Sequence, residues 1–190
     1  MKKKAIIIAV CLVALAAASL TLNKERTSAA SSQKRPSPVV YIPDAVKYSA
    51  LFHYVVDLNQ QAEELESAGK DGSSLRMHIQ LEAGLDYQTA QALNKYATAC
   101  IKDVDEMDKR AMAVIKQFRA QFPGGKVPVG GKLPPPPPEL NEMQQERDHR
   151  ILQARDEIRF AVGDPGFPQL NDFVEREIAP NLRPAGTEKR

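Results

Sequence analysis

Residues 86–122 read DYQTAQALNKYATACIKDVDEMDKRAMAVIKQFRAQF, a run with no proline and no glycine. Leu93, Ala97, Cys100, Val104, Met107, Ala111, Val114 and Phe118 recur at alternating spacings of four and three, which puts them on one face of a helix. Lys102, Asp103, Asp105, Glu106, Asp108, Lys109 and Arg110 lie between them and form a solvated face. The run therefore predicts one continuous helix of about 55 Å at 1.5 Å per residue, longer than the ~30 Å width of a compact small domain. Such a rod makes the domain elongated, and other segments must cover its apolar row.

The start of this helix is punctuated. Gly84 stops the preceding helix, Asp86 is the N-cap, and Leu85 can staple onto Ala90. Its end is abrupt at Pro123-Gly124-Gly125. Residues 123–138 form a Pro/Gly-rich linker, with Pro134 to Pro138 expected in polyproline II. A partly stiff spacer frees the next helix from starting where the rod ends. Serving as a ligand for a polyproline-reading domain is the competing role, less expected outside a cytoplasm.

The remaining elements follow the same logic. A helix is expected from near Glu139, with Leu140, Met143, Arg147, Ile151, Ala154, Ile158 and Ala161 inward and a break at Gly163-Asp164-Pro165-Gly166. A short helix with Phe167, Leu170, Phe173 and Val174 follows and stops before Pro180. Toward the N-terminus, Pro43-Asp44 opens a helix with Asp44 as N-cap. Its inward row is Tyr48, Leu51, Val55, Leu58, Ala62 and Leu65, and Gly69 to Ser73 ends it. Ser74 to Ala83 is read as a further short helix, with Leu75, Ile79 and Glu82 on one side. The fold class is all-α: an elongated bundle of four to five helices around one long central helix, in a single domain over 43–180.

Both ends lie outside that domain. Lys2, Lys3 and Lys4 precede an apolar run from Ala5 to Leu22, the layout of an export signal, with Ala16-Ala17-Ala18 as a cleavage site. Ser28-Ala29-Ala30 is a second cleavage option, preceded by the charged Lys24, Glu25 and Arg26. Left uncleaved, residues 5–22 would anchor the chain, being near the ~18-residue lower limit for a spanning helix. Cys11 follows Val10 and sits too early in the run for lipidation. Residues 23–42 read as a flexible tether and 181–190 as a disordered tail. Export, to the periplasm or beyond, is the expectation.

Net charge and cysteines exclude some functions. Loss of Lys2, Lys3 and Lys4 takes the net charge from +2 to −1, so no basic footprint for nucleic acid remains. Cleavage also leaves Cys100 alone, so no intrachain disulfide forms and packing must carry the stability. Membrane contact is expected only through an uncleaved N-terminal segment.

Candidate chemistry is sparse. Glu146-Arg147-Asp148-His149 has the Glu-x-x-His spacing of helical-bundle metal sites, which need that motif twice; here it occurs once. His53 with Asp57, and His78 with Glu82, stand four apart, with Met77 beside the second pair. His53, His78, Glu146 and His149 are thus the metal candidates, and each also fits an ordinary surface or half-buried residue. Cys100 lies on the apolar row and reads as core, or as an interchain cross-link should the row be exposed. Arg147 is the charged residue on an inward row, able to reach Glu63, Asp103 or Asp108 or to snorkel outward. No phosphate loop, nucleophile elbow, Cys-x-x-Cys or His-Glu-x-x-His occurs, so neither an enzyme nor a cofactor is expected.

Two helix starts carry a family likeness. Leu140-Asn141-Glu142-Met143-Gln144 follows Leu-Thr-x-x-Gln with Asn for Thr, and Leu85-Asp86-Tyr87-Gln88-Thr89 keeps the leucine and a capping residue with its glutamine one position early. In outline, residues 75–175 resemble the small periplasmic helical stress proteins of the Spy and CpxP kind. The resemblance implies a curved helical dimer that binds unfolded client proteins. The proline-rich spacer and the added N-terminal helix depart from that pattern. The expected function is non-enzymatic binding of a protein partner or unfolded client in the cell envelope, with a homodimer possible. A metal-responsive envelope protein using its histidines is the alternative.

Overall fold

The long apolar row of residues 93–118 does form one helix, and the other elements pack around its first half. The computed structural model describes residues 41–122 and 135–182. The expected signal or anchor at 1–22, the tether to residue 40, the linker from 123 to 134 and the tail from 183 lie outside the described residues. Among the described residues the helical elements are, in order, α1 Asp44–Ser67, α2 Ser73–Arg76, α3 His78–Glu82, α4 Tyr87–Ala120, α5 Pro138–Phe173, and a π-helical turn Val174–Ile178 running into a 3-10 turn Ala179–Asn181. No strand occurs among the described residues. The protein is all-α, and its central α4, with 34 residues, is about 51 Å long.

Local chemistry explains the ends of α4. Asp86 accepts a hydrogen bond from the Thr89 amide at 2.7 Å, and this bond holds the Asp86 carboxyl below the usual carboxylate range. Gly84 takes φ 63°, a conformation that costs glycine little, and reverses the chain between α3 and α4. Leu85 is buried and Ala90 packs against the same core, as a staple requires.

Several expectations need correction. Asp44 is the first residue of α1 rather than its N-cap; the Pro43 carbonyl accepts from Val46 and Lys47 instead. The Asp44 carboxylate is drawn away by two cations, Lys47 at 2.8 Å and Arg155 at 3.1 Å. The segment 74–83 is split at Met77 into α2 and α3, and Glu82 is exposed while Ala83 and Leu85 are buried. Leu65 is only half-buried. Pro138 is helical rather than part of the spacer, a position where its missing N–H costs nothing. In α5 the inward row ends on Val162, with Ala161 exposed. The backbone leaves helical geometry at Gly163 (φ 56°, ψ −160°) and Asp164, as the Gly/Pro cluster foretold. Helical turns then continue through Asn181, past Pro180.

The core is a three-way contact of α1, α4 and α5, closed by the turns after Gly163. Leu51, Phe52, Ala97, Cys100, Val104, Ile151, Ala154, Ile158, Leu170 and Val174 have no measurable solvent exposure. Fully burying such side chains contributes about 1.5–3 kcal/mol for each of the larger ones. On α1 the buried set is wider than one row: Ala45, Lys47, Ser49 and Phe52 are buried beside the expected residues. From Asp44 to Val56 this helix has no exposed residue, whereas Asp57, Gln60, Gln61, Glu63, Glu64, Glu66 and Ser67 give its second half a free face.

Candidate functional site

Coverage of α4 stops part-way. Val104 is its last buried residue, and Ile151 is the first buried residue of α5. Beyond them, α4 and α5 continue as an antiparallel two-helix arm. Arg150 donates to Asp103 at 2.8 Å, Arg147 lies 3.5 Å from Asp108, and Arg110 lies 3.3 Å from Glu146. Met107, Ala111, Val114, Ile115 and Phe118 on α4, with Leu140 and Met143 on α5, are half-buried there. Met112 is 64% exposed. Phe118 and Phe122 meet edge to face at 5.4 Å. The expectation that other segments cover the row along its length thus fails for the outer half among the described residues. Two helices alone cannot enclose an apolar row that a third helix encloses further in.

Charge on the arm is segregated by helix. Past Asp108, α4 carries Lys109, Arg110, Lys116 and Arg119 and no acid. Up to Glu146, α5 carries Glu139, Glu142 and Glu146 and no base. Arg110 and Glu146 pair across the arm and Lys109 pairs with Glu106, whereas Lys116, Arg119, Glu139 and Glu142 have no ion-pair partner among the described residues.

The residues singled out from the sequence are dispersed. His53 is half-buried on α1, and His149 is exposed on α5. His78 contacts Glu82 through Nε2 at 3.2 Å and meets the Tyr54 ring edge to face. Glu146 faces Arg110 rather than a histidine. Among the described residues, no group of three or more His, Cys, Asp or Glu side chains is placed to hold a metal ion. Cys100 is fully buried, and burial pushes its thiol up to about 11, which leaves it in the unreactive protonated form. Arg147 takes neither extreme: it remains partly exposed, reaches Asp108, and donates to Ser49 Oγ at 3.3 Å. Its guanidinium marks where α1 meets the base of the arm. Deeper in, Arg150 Nη1 is buried and has no hydrogen-bond partner among the described residues, 4.0 Å from Glu157.

A polar clamp at the start of α1 was not foreseen. Lys47 is buried between Asp44 and Glu175, Tyr48 donates to Asn171 at 3.0 Å, and the Tyr48 ring stacks on Phe167 at 6.4 Å. Arg155 and Arg159 lie over these two rings. The bond from Lys47 holds the Asp44 carboxyl low. Burial opposes the charge on Lys47, but its bonds to Asp44 and Glu175 outweigh that and raise its pKa. The π-helical turn carries Glu175 on the side facing Lys47. The sequence signal available was only the Asp44–Lys47 spacing of three; Arg155 comes from the α5 segment before Gly163, and the partners at 171 and 175 are brought in after the break.

Among the described residues, no helix is long and apolar enough to cross a membrane. Comparison with known proteins finds no matching family model, no matching curated protein and no matching solved structure.

Proposed function

We propose that this is an exported, non-enzymatic helical protein of the cell envelope that binds a protein partner or unfolded client through the apolar face of its α4/α5 arm. One observation carries the reading: the apolar row of α4 runs on for more than three turns past Val104, half-covered by α5 alone and rimmed by charge. Export rests on the Lys2-Lys3-Lys4 start and the apolar run from Ala5 to Leu22. The likeness of the Leu85 and Leu140 helix starts to the stress-chaperone pattern agrees with client binding.

The test is suppression of light scattering by an aggregating, chemically reduced model protein. The wild-type chain is expected to suppress it. Met112→Asp with Ile115→Asp is expected to abolish suppression while leaving far-UV circular dichroism and Tm within the range of a surface change. Full suppression by that variant would sink the arm as the binding face, and no suppression by the wild type would sink the client reading.

A further inference from the structure

The arm's exposed face has a pattern that a second copy of the same chain satisfies. Beside the main row of α4, Met112, Ile115 and Arg119 stand at i, i+3 and i+7 and form a second row. Ile115 is half-buried, and Met112 and Arg119 are exposed, so α5 of the same chain leaves this row open. The adjacent α4 and α5 tips carry opposite charge, basic on Lys116 and Arg119 and acidic on Glu139 and Glu142. From the Arg110–Glu146 pair, an antiparallel course puts Lys116 level with Glu139 about two turns further out.

We infer that the occupant of this face is a second copy of the chain, paired about a two-fold axis along the arm so that each basic α4 tip packs against the acidic α5 tip of the other. The inference rests on reading the arm as a protein-binding face. Such a pair alternates α4 and α5 around a four-helix bundle, with every neighbour antiparallel. It buries both α4 rows and gives Lys116, Arg119, Glu139 and Glu142 partners of opposite sign. A uniformly anionic surface such as a phospholipid headgroup layer suits only the α4 half, because the glutamates of α5 oppose it. A purely cationic partner fails for the converse reason.

The test uses the purified full chain and two charge-reversed forms, Lys116→Glu with Arg119→Glu, and Glu139→Lys with Glu142→Lys. Each mass is measured by light scattering after size exclusion. The wild type is expected at twice the mass of one chain, each reversed form alone at half that value, and their equimolar mixture back at the paired mass. Mixing restores complementarity only between chains, so a merely structural role for these charges would not produce that recovery. Wild type at single-chain mass at every concentration, pairing that survives reversal, or a mixture that stays unpaired would each overturn the inference.

Should reversal unfold the arm, disulfide trapping between Lys116→Cys in one chain and Glu139→Cys in a differently tagged chain decides. A cross-linked heterodimer is expected, and its absence under oxidation overturns the pairing. A single-chain mass together with intact client suppression would remove the pairing and leave the protein-binding reading standing. Pairing without any client suppression would keep the arm as a protein-binding face and remove only the client reading.

Discussion

Cys100 and Val114 occupy equivalent places in the same row of α4, two heptads apart, yet Cys100 is fully buried and Val114 only half so. Helix continuity and apolar spacing are alike in the two halves, although the charge beside the row is mixed in the inner half and basic past Asp108. What differs is the third helix: α1 lies over the inner half, and its outermost hydrogen bond toward the arm among the described residues is that between Ser49 and Arg147. A periodic row therefore specifies a face that wants covering, and the tertiary neighbours decide which stretch of it is covered within one chain.

This contrast is most easily broken by truncating one side chain in each half. Phe52→Ala removes a ring with no solvent exposure from beneath α1 and is expected to cost about 3–5 kcal/mol in urea unfolding. Met112→Ala on the arm, in dilute solution, is expected to cost less than about 0.5 kcal/mol. Comparable losses would mean that the arm is as integral to the fold as the core.

These two halves also show what the sequence made legible. The full extent of α4, its Asp86 cap, the break at Gly163 and the inward set Ile151, Ala154 and Ile158 follow from spacing and punctuation, because each is a local property. The second buried row of α1 was not legible. Lys47 is buried because the chain after Gly163 brings Glu175 against it, and no local pattern encodes that reversal. Ala161 was placed inward by extrapolating a row that the break cuts short, so that Val162 takes the position. For the candidate site, the row of the arm was legible from the start. Its half-coverage was not, since it depends on where α1 lies. The histidines had suggestive spacings, but spacing along one helix says nothing of the second and third ligands.

A finer comparison sets the apolar core against the polar clamp. Tyr48→Phe keeps the stack on Phe167 and removes only the bond to Asn171, so a loss of about 1 kcal/mol is expected, several-fold below that of Phe52→Ala. A loss as large as that of Phe52→Ala would make the clamp, not the core, the anchor of α1.

The smallest effect is in pH. The Asp44 carboxyl titrates below its ordinary 3.8 in the folded chain, so its contribution is full above that value and disappears as pH falls through the lower folded one. Lys47 has the opposite sign: its contribution is full below 10.5 and is lost as pH rises through its raised folded value. Asp44→Asn is expected to flatten part of the acid limb of Tm against pH and to leave Tm within a few degrees of wild type at neutral pH. An unchanged acid limb would show that Asp44 does not feel Lys47 in solution.

The measurement that bears most directly on the divided helix is amide hydrogen exchange of the full chain at two protein concentrations. The account predicts concentration-independent protection over residues 93–104 and 151–158, with protection over 108–120 and 138–146 that rises with concentration as second copies cover the arm. Protection of the arm that equals the core at high dilution, or that never changes with concentration, would contradict it.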